Sequence, residues 1–242
     1  MRTIVIFTSP PRSMSISRWI PRAVEAPALL ERVFNRARWP DAIPASVLAL
    51  SLEMALAREA IAHVLADAER AGMSLEPAWA APLVVLTGRL AQLPRAAQSL
   101  IVAMDVFGAT GPTLVSRAPG DALVAAGALA ARGRVATLPT IDPIAIVAEM
   151  WPRRSAIVRI TDSNGVIEER VSRGSFVLVP TKGVVEIVMP GTTVRPRAEQ
   201  LELGVVIDAR GRPLSLPPRD AERIPTLARW NSALDVLPAE AR

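Results

Sequence analysis

The spacing of apolar residues in the first half of the chain is typical of helices that alternate with buried strands. Leu48, Leu52 and Leu56 recur at helical spacing behind Ser46, a residue type that caps helix N-termini. Gly72 suits the residue just after a helix, where a positive φ ends the helical path. The pattern predicts one long helix, packed on one side along most of its length.

Two short, largely apolar runs follow the long helix, and Gly or Pro bounds each of them. Residues 83–87 and 113–116 lack polar alternation, as strands do when both of their faces are buried. A helix is predicted after each run, over residues 94–107 and 122–130. This strand–helix–strand–helix order predicts an α/β unit with a parallel pair of strands.

Beyond about residue 153 the pattern changes to short strands separated by turns. Residues 156–161 and 166–171 flank Asn164-Gly165, and this dipeptide between two strand-like runs is a strong hairpin signal. The other strand-like runs in this part of the chain cover residues 176–179, 184–189, 203–207 and 214–216. Together they predict a six-stranded antiparallel module, after which a short helix runs from Asp220 to about residue 234.

The predicted fold class is therefore α/β plus all-β, in two successive regions with a short C-terminal helix. The predicted boundaries are an irregular basic N-terminal arm over 1–43, an α/β lobe over 44–138, a linker over 139–153, and the β-module with its terminal helix over 154–236. The linker is placed there because the pattern changes past Pro139 and Pro143, and a helix at about 24–38 is plausible within the arm.

The absence of Cys, the length of the apolar runs and the distribution of charge restrict the possible functions more than the total charge does. The chain has no Cys, which excludes disulfides and thiolate metal sites and fits a cytoplasmic protein. No apolar run is long enough to predict a membrane span.

Residues 1–38 hold seven Arg and two Glu, a net charge of +5 that equals the charge of the whole chain. A basic arm of this kind is typical of binding to nucleic acid or to an anionic membrane surface, although no DNA-binding motif accompanies it.

The ionisable residues form no pattern that predicts a catalytic or metal site. His63 is the sole His, so the sequence holds no His pair for a metal, and no partner of His63 for a Ser-His-Asp triad is identified. Asp105, late in a predicted helix, suits either coordination of a ligand or a hydrogen bond at the helix end. In the turn after residue 207, Gly211 supplies a positive φ, while Arg210 and Arg212 are candidates to contact an acidic partner surface at an exposed hairpin tip.

Three blocks of residues, in the same order along the chain, resemble the MutL family associated with glutamate mutase. They are the long helix at 52–70 with the strand at 83–87; Pro94, Gln98, Leu100, Asp105, Gly111 and Leu123 with Gly127–Ala130; and Gly174-Ser175, Val179-Pro180 and Gly204–Leu214. The family is grouped with accessory and reactivation factors of adenosylcobalamin mutases. The resemblance implies part of an actin-like ATPase fold, namely its second lobe followed by the β-module.

Two departures from the family pattern concern its nucleotide site. The Asp-x-Gly phosphate loop of the first lobe has no counterpart in this chain, and Gly88-Arg89-Leu90-Ala91 stands where the family has a Gly-rich loop. Side chains at Arg89 and Leu90 enter space that a close backbone approach to a phosphate needs. We therefore expect ATP binding to be lost or very weak, with Gly88 and Arg89 as the remaining candidates for holding an anion.

Three functional hypotheses follow. The first is a truncated, non-catalytic MutL-like accessory or interaction module connected with a cobalamin-dependent glutamate or methylaspartate mutase, with no cofactor. The second is one half of a split actin-like reactivation ATPase, in which a separate first-lobe chain brings the phosphate loop and ATP becomes the cofactor. The third is a nucleic-acid or membrane-surface binder acting through the basic arm. Self-association through an apolar face of residues 83–131 is a further expectation.

Overall fold

The structure is a computed structural model that describes residues 16–39, 42–76, 80–108, 110–118, 120–135, 137–138, 140–183, 185–196 and 200–238. It is a mixed α/β protein with two sheets, and five of the seven described strand pairs are antiparallel. Its residues group into a helical unit, drawn from residues 1–76 and 215–242, and a sheet unit, drawn from residues 77–214.

The helices and strands have the following bounds. A 3₁₀ turn at Ser17–Trp19 precedes helices α1 (Ala26–Arg38), α2 (Val47–Arg70), α3 (Gly88–Ala91), α4 (Ala96–Val106), α5 (Ala122–Ala131) and α6 (Asp220–Ala233). The strands are β1 (Leu83–Leu86), β2 (Thr113–Arg117), β3 (Asp142–Glu149), β4 (Ser155–Asp162), β5 (Gly165–Ser172), β6 (Phe176–Val179), β7 (Glu186–Met189), β8 (Thr192–Val194) and β9 (Gly204–Asp208). Among the described residues, no helix is long and apolar enough to cross a membrane.

Helix α2 begins and ends where its sequence signals predict. The Ser46 side chain accepts a hydrogen bond from the backbone N–H of Ala49 at 3.1 Å, which satisfies one of the free donors of the first turn. After Arg70 the chain leaves the helix through Gly72, whose φ is +80°. The predicted long helix is confirmed, and its packed side includes the fully buried Ala55 and the nearly buried Met54.

The helix expected at about 24–38 is confirmed as α1, and the 3₁₀ turn before it is regular too, so the predicted irregular arm over 1–43 is wrong for these residues, while residues 1–15 lie outside the described part. Ile16, Trp19 and Ile20 are buried, because an apolar pattern inside the Arg-rich segment supplies a 3₁₀ turn with a core-facing side. The buried Glu59 of α2 accepts hydrogen bonds from the indole N–H of Trp19 at 2.6 Å and from Nε of Arg18 at 2.7 Å. Positive charge in this segment thus takes part in packing within the helical unit.

The five-stranded sheet has the order β1-β2-β3-β9-β6. Strands β1 and β2 are parallel, with Leu83 opposite Leu114, which confirms the predicted parallel pair. Strand β2 is antiparallel to β3, β3 is parallel to β9, and β9 is antiparallel to β6. Parallel strands β3 and β9 therefore reach the same edge of the sheet at Glu149 and Asp208, which are paired in the register.

The four-stranded sheet has the order β5-β4-β7-β8 and is antiparallel throughout. The predicted hairpin between β4 and β5 is confirmed. Asp162 Oδ1 accepts a hydrogen bond from the backbone N–H of Asn164 at 2.7 Å, and Gly165 takes a φ of +133°. Side chains of both sheets form one apolar core, which includes Ile146, Val158, Val171, Ile187, Val205 and Ile207.

Two predictions about the second half of the chain are wrong. The stretch 139–153 is not a linker, because β3 lies within it and its residues 144–148 are buried. The six-stranded antiparallel module does not form either, because β6 and β9 belong to the five-stranded sheet, residues 214–216 are not a strand, and β8 is an additional one. Every residue of β9 is buried. An apolar run of this kind suits the interior of a sheet covered on both faces better than a half-exposed hairpin.

Candidate functional site

Charged residues gather where parallel strands β3 and β9 end. Glu149 is the last residue of β3, Asp208 is the last residue of β9, and Arg210 and Arg212 follow directly. Side chains that follow parallel strands meet at one sheet edge, which is the usual place for binding sites in α/β proteins. We refer to Asp105, Asp208, Arg210 and Arg212 as the charge cluster.

Arg210 is the centre of the charge cluster. Its Nε and Nη2 atoms donate to the two carboxylate oxygens of Asp208 at 3.0 Å each, a bidentate geometry that aligns both groups. Its Nη1 atom donates to Asp105 Oδ1 at 2.7 Å, which joins the end of α4 to the chain after β9. The guanidinium carbon also lies 4.9 Å from the ring centre of Phe176. The side chains of Arg210 and Asp208 have no exposed surface.

Arg212 adds a second cation to Asp208. Its Nη2 donates to Asp208 Oδ2 at 2.6 Å and its Nη1 to the carbonyl oxygen of Gly211 at 3.1 Å. Its side chain is only 9% exposed. Both terminal nitrogens of Arg212 therefore donate hydrogen bonds within residues 208–212.

Burial and charge act in opposite directions on the pKa values of the cluster. Burial alone raises the pKa of Asp208, but the charges of Arg210 and Arg212 and the hydrogen bonds from Arg210 outweigh it, so the pKa lies below its ordinary value. Burial alone lowers the pKa of Arg210, but Asp105 and Asp208 outweigh it and raise the pKa above the ordinary value. Each group keeps the other ionised, and the cluster acts as a fixed clamp between α4 and the end of β9.

The structure places Arg210 and Arg212 differently from the predicted exposed hairpin tip. Both side chains are buried against Asp208, so neither presents a cation to an acidic partner, and that prediction is wrong. The physical reason is that Asp208 at the strand end and Asp105 of α4 together supply two carboxylates to one buried guanidinium. Asp105, near the end of α4, accepts a hydrogen bond from Arg210, and coordination of a ligand by Asp105 stays a prediction.

Gly88 and Arg89 begin α3, a single helical turn directly after β1. Gly88 has a φ of +59°, which agrees with a sharp exit from the strand. The turn is closed by a backbone hydrogen bond from Gln92 to Arg89 at 3.1 Å and by Ser99 Oγ, which donates to the carbonyl of Leu90 at 2.6 Å. Arg89 is exposed. Anion binding by Gly88 and Arg89 stays a prediction.

A cavity of about 390 Å³ lies beside the charge cluster, at the end of β3. It is lined by Glu149, Met150, Trp151, Pro152, Arg153, Ser155, Ala156, Met189, Pro190 and Thr192. This volume falls within the range of small-molecule sites. Its wall unites the end of β3, the start of β4 and the β7–β8 turn, and thus both sheets of the sheet unit.

Trp151 is the large aromatic side chain of this cavity, and two contacts fix its position. Gly211 packs so closely on the indole ring that a Cβ atom there would overlap it. The guanidinium carbon of Arg173 lies 4.7 Å from the ring centre. The turn after β9 thus makes two kinds of contact. Gly211 packs on Trp151, and Arg210 and Arg212 bind Asp208.

Glu149 is the acidic residue of the cavity, and its environment disfavours the charged form. Burial raises the pKa of Glu149; the charge of Arg212 opposes this, and the charge of Asp208 adds to it, with a net increase. Sequence reasoning missed both Glu149 and Trp151. The available signal was the polar residue that ends the apolar run 144–148, followed by Met-Trp-Pro, but the proposed linker hid that strand.

Comparisons with known proteins identify no relative of this chain. No family model matches the chain, and no curated protein or solved structure is significantly similar to it.

Proposed function

We propose that this chain is a non-catalytic interaction module of the MutL type that serves a cobalamin-dependent glutamate or methylaspartate mutase as an accessory protein. The three ordered sequence blocks support the family link. The proposal includes the finer fold assignment, in which the segment from α2 to α5 is the counterpart of the second lobe of an actin-like ATPase. The observation that carries the interaction role is the surface of α5.

Helix α5 is apolar on every side and is nevertheless exposed. All ten of its residues are Ala, Leu, Val or Gly, and only Ala126 is buried. Val124 is 42% exposed and Leu129 is 38% exposed. A helix that is hydrophobic all round is normally covered by other protein, and exposed apolar patches mark interaction sites. A mutase subunit is the occupant that we propose for this face.

The turn after β1 supports a module without nucleotide chemistry. After Gly88 the positions of α3 carry the side chains of Arg89 and Leu90, where a close approach of the backbone to a phosphate favours glycine. A loop that cradles phosphate is usually rich in glycine, so that several of its backbone N–H groups can approach the ligand closely. We expect no ATP binding in the micromolar range, as measured by calorimetric titration of the full chain.

The partner face is tested by replacing two apolar residues of α5. Val124→Glu with Leu129→Glu should weaken capture of the mutase subunits at least about tenfold, because a charge is placed in an apolar interface. Phe34→Glu is the matched control, since Phe34 is also an exposed apolar residue on a helix, at 67% exposure. Equal capture by both variants would contradict the proposal, as would binding of ATP in the micromolar range.

A separate first-lobe ATPase chain is the second candidate for the same face, because α5 belongs to the segment that resembles a second lobe. This alternative predicts that ATP is hydrolysed only when the two chains are mixed. It also predicts that the variant with Val124→Glu and Leu129→Glu loses this ATP hydrolysis. A concentration-dependent mass in sedimentation that the variant abolishes would instead assign the face to a second copy of this chain. Either result would replace the mutase as the occupant of α5.

A further inference from the structure

The cavity at the end of β3 has walls that are held in place before any ligand binds. Trp151 is 58% exposed, yet Gly211 and Arg173 hold its ring from two directions. Met189, another lining residue, is buried in the core that both sheets share. A preformed site avoids part of the ordering cost of binding.

The Glu149 carboxylate lines this cavity without a bonded partner. Within the part of the chain that the structure describes, it makes neither a hydrogen bond nor an ion pair. Arg212 is near enough to act on it through charge, but its two terminal nitrogens donate to Asp208 and Gly211. Glu149 is therefore a half-buried acceptor that the protein itself leaves open toward the cavity.

We propose that the cavity lined by Glu149, Trp151 and Met189 is a binding site for a small organic ammonium ion. The ammonium group would donate to the Glu149 carboxylate, which has no other hydrogen-bond donor from the described residues. The apolar body of the ligand would lie along Met150, Met189 and Trp151. A charge-assisted hydrogen bond in a partly desolvated site is stronger than one in water, and the volume admits a ligand of single-ring size.

The charge of the ligand follows from the charges that line the cavity. Arg153 is the other charged lining residue and is exposed, whereas Glu149 is half-buried and therefore less screened. An anion would meet the Glu149 carboxylate in the less screened position, and a neutral ligand would leave it unpaired. An ammonium ion with an apolar body is the class that satisfies both Glu149 and the apolar walls.

Benzylamine, titrated into the full chain and followed by ¹H–¹⁵N NMR, tests the site, with benzyl alcohol as the uncharged counterpart. We expect benzylamine to shift the Trp151 indole resonance saturably, and Glu149→Gln to weaken this binding at least about tenfold. Glu186→Gln is the matched control, because Glu186 is a carboxylate of the same unit that pairs with Arg195 outside the cavity. Binding of benzyl alcohol should be the same in all three proteins.

Two further variants separate the site from effects on folding. Thr192→Trp fills the cavity from its exposed rim and should abolish binding although Glu149 is intact. Arg153→Gln removes the like charge and should tighten binding, a gain that a destabilised protein would not show. Equal affinity of benzylamine for the wild-type and Glu149→Gln proteins would overturn the proposal, as would the absence of saturable shifts at millimolar benzylamine.

Discussion

Gly211 shows how a single residue without a side chain organises the candidate site. It has a φ of +90°, and its backbone packs directly on the Trp151 ring. The sequence predicts the first property, because turns use glycine at positive φ. The second depends on a tryptophan sixty positions earlier in the chain, which no local pattern reveals.

The change Gly211→Ala should therefore destabilise the protein by more than a strained turn alone. A positive φ costs a residue with a Cβ atom about 1–3 kcal/mol, and the new methyl group would also displace Trp151. We expect a clear loss of unfolding free energy in urea, together with a changed Trp151 signal. Gly133→Ala is the control, because Gly133 also has a positive φ but an added Cβ would meet no atom within 4 Å. Equal losses in the two variants would refute the packing role of Gly211.

Arg210 illustrates the difference between buried and exposed ion pairs. Arg210→Ala would leave Asp105 and Asp208 buried without their shared cation, a loss that typically costs about 3–5 kcal/mol. Arg159→Ala breaks an exposed pair with Glu168 and should cost less than about 1 kcal/mol. Chemical denaturation of the two variants measures the contrast. A small effect at Arg210 would mean that the cluster is not the clamp described above.

Glu149 gives a pH-dependent prediction with a definite sign. A carboxyl group whose pKa is raised by folding disfavours the fold when ionised, so the penalty exists above the folded pKa and vanishes below the unfolded value of about 4.3. Glu149→Gln should raise the unfolding free energy at pH 7 by up to about 1 kcal/mol, and the gain should disappear near pH 3. Thermal unfolding at several pH values checks this, and a gain that persists at pH 3 would contradict it.

At the scale of elements, the sequence predicts a helix end or a turn correctly where the residues that determine it are neighbours in sequence. Ser46 and Gly72 define α2, and Asn164-Gly165 defines the first hairpin, because each acts on backbone groups within a few positions. The sequence predicts strand β9 but not the two strands that pair with it. Its apolar residues suit any position inside a sheet, and only the distant β3 and β6 decide which one.

The cap of α2 provides an element-scale prediction. Ser46→Ala removes the acceptor of the Ala49 N–H group and should cost about 1 kcal/mol, whereas Ser46→Asp should retain most of the stability because Asp is an equally good cap. Thermal unfolding of both variants measures the difference. If Ser46→Asp were as destabilised as Ser46→Ala, the hydrogen bond to Ala49 would not be the cause.

At the scale of the molecule, the two units differ in how the chain builds them. The sheet unit is one continuous segment, and it contains both sheets and the core that they share. A continuous segment with its own core is expected to fold by itself. Residues 77–214 expressed alone should therefore unfold cooperatively and keep a sharp near-ultraviolet circular dichroism spectrum. A non-cooperative transition would show that the sheet unit needs the rest of the chain.

The helical unit has the opposite construction, since its residues come from 1–76 and from 215–242. Synthesis delivers the first portion before the sheet unit and the second portion after it. The two portions of the helical unit can therefore assemble with each other only after the sheet unit has been synthesised. Removal of residues 215–242, which include α6, should therefore destabilise the first portion of the helical unit, and the nascent chain should be most vulnerable to chaperone capture and proteolysis before these residues appear.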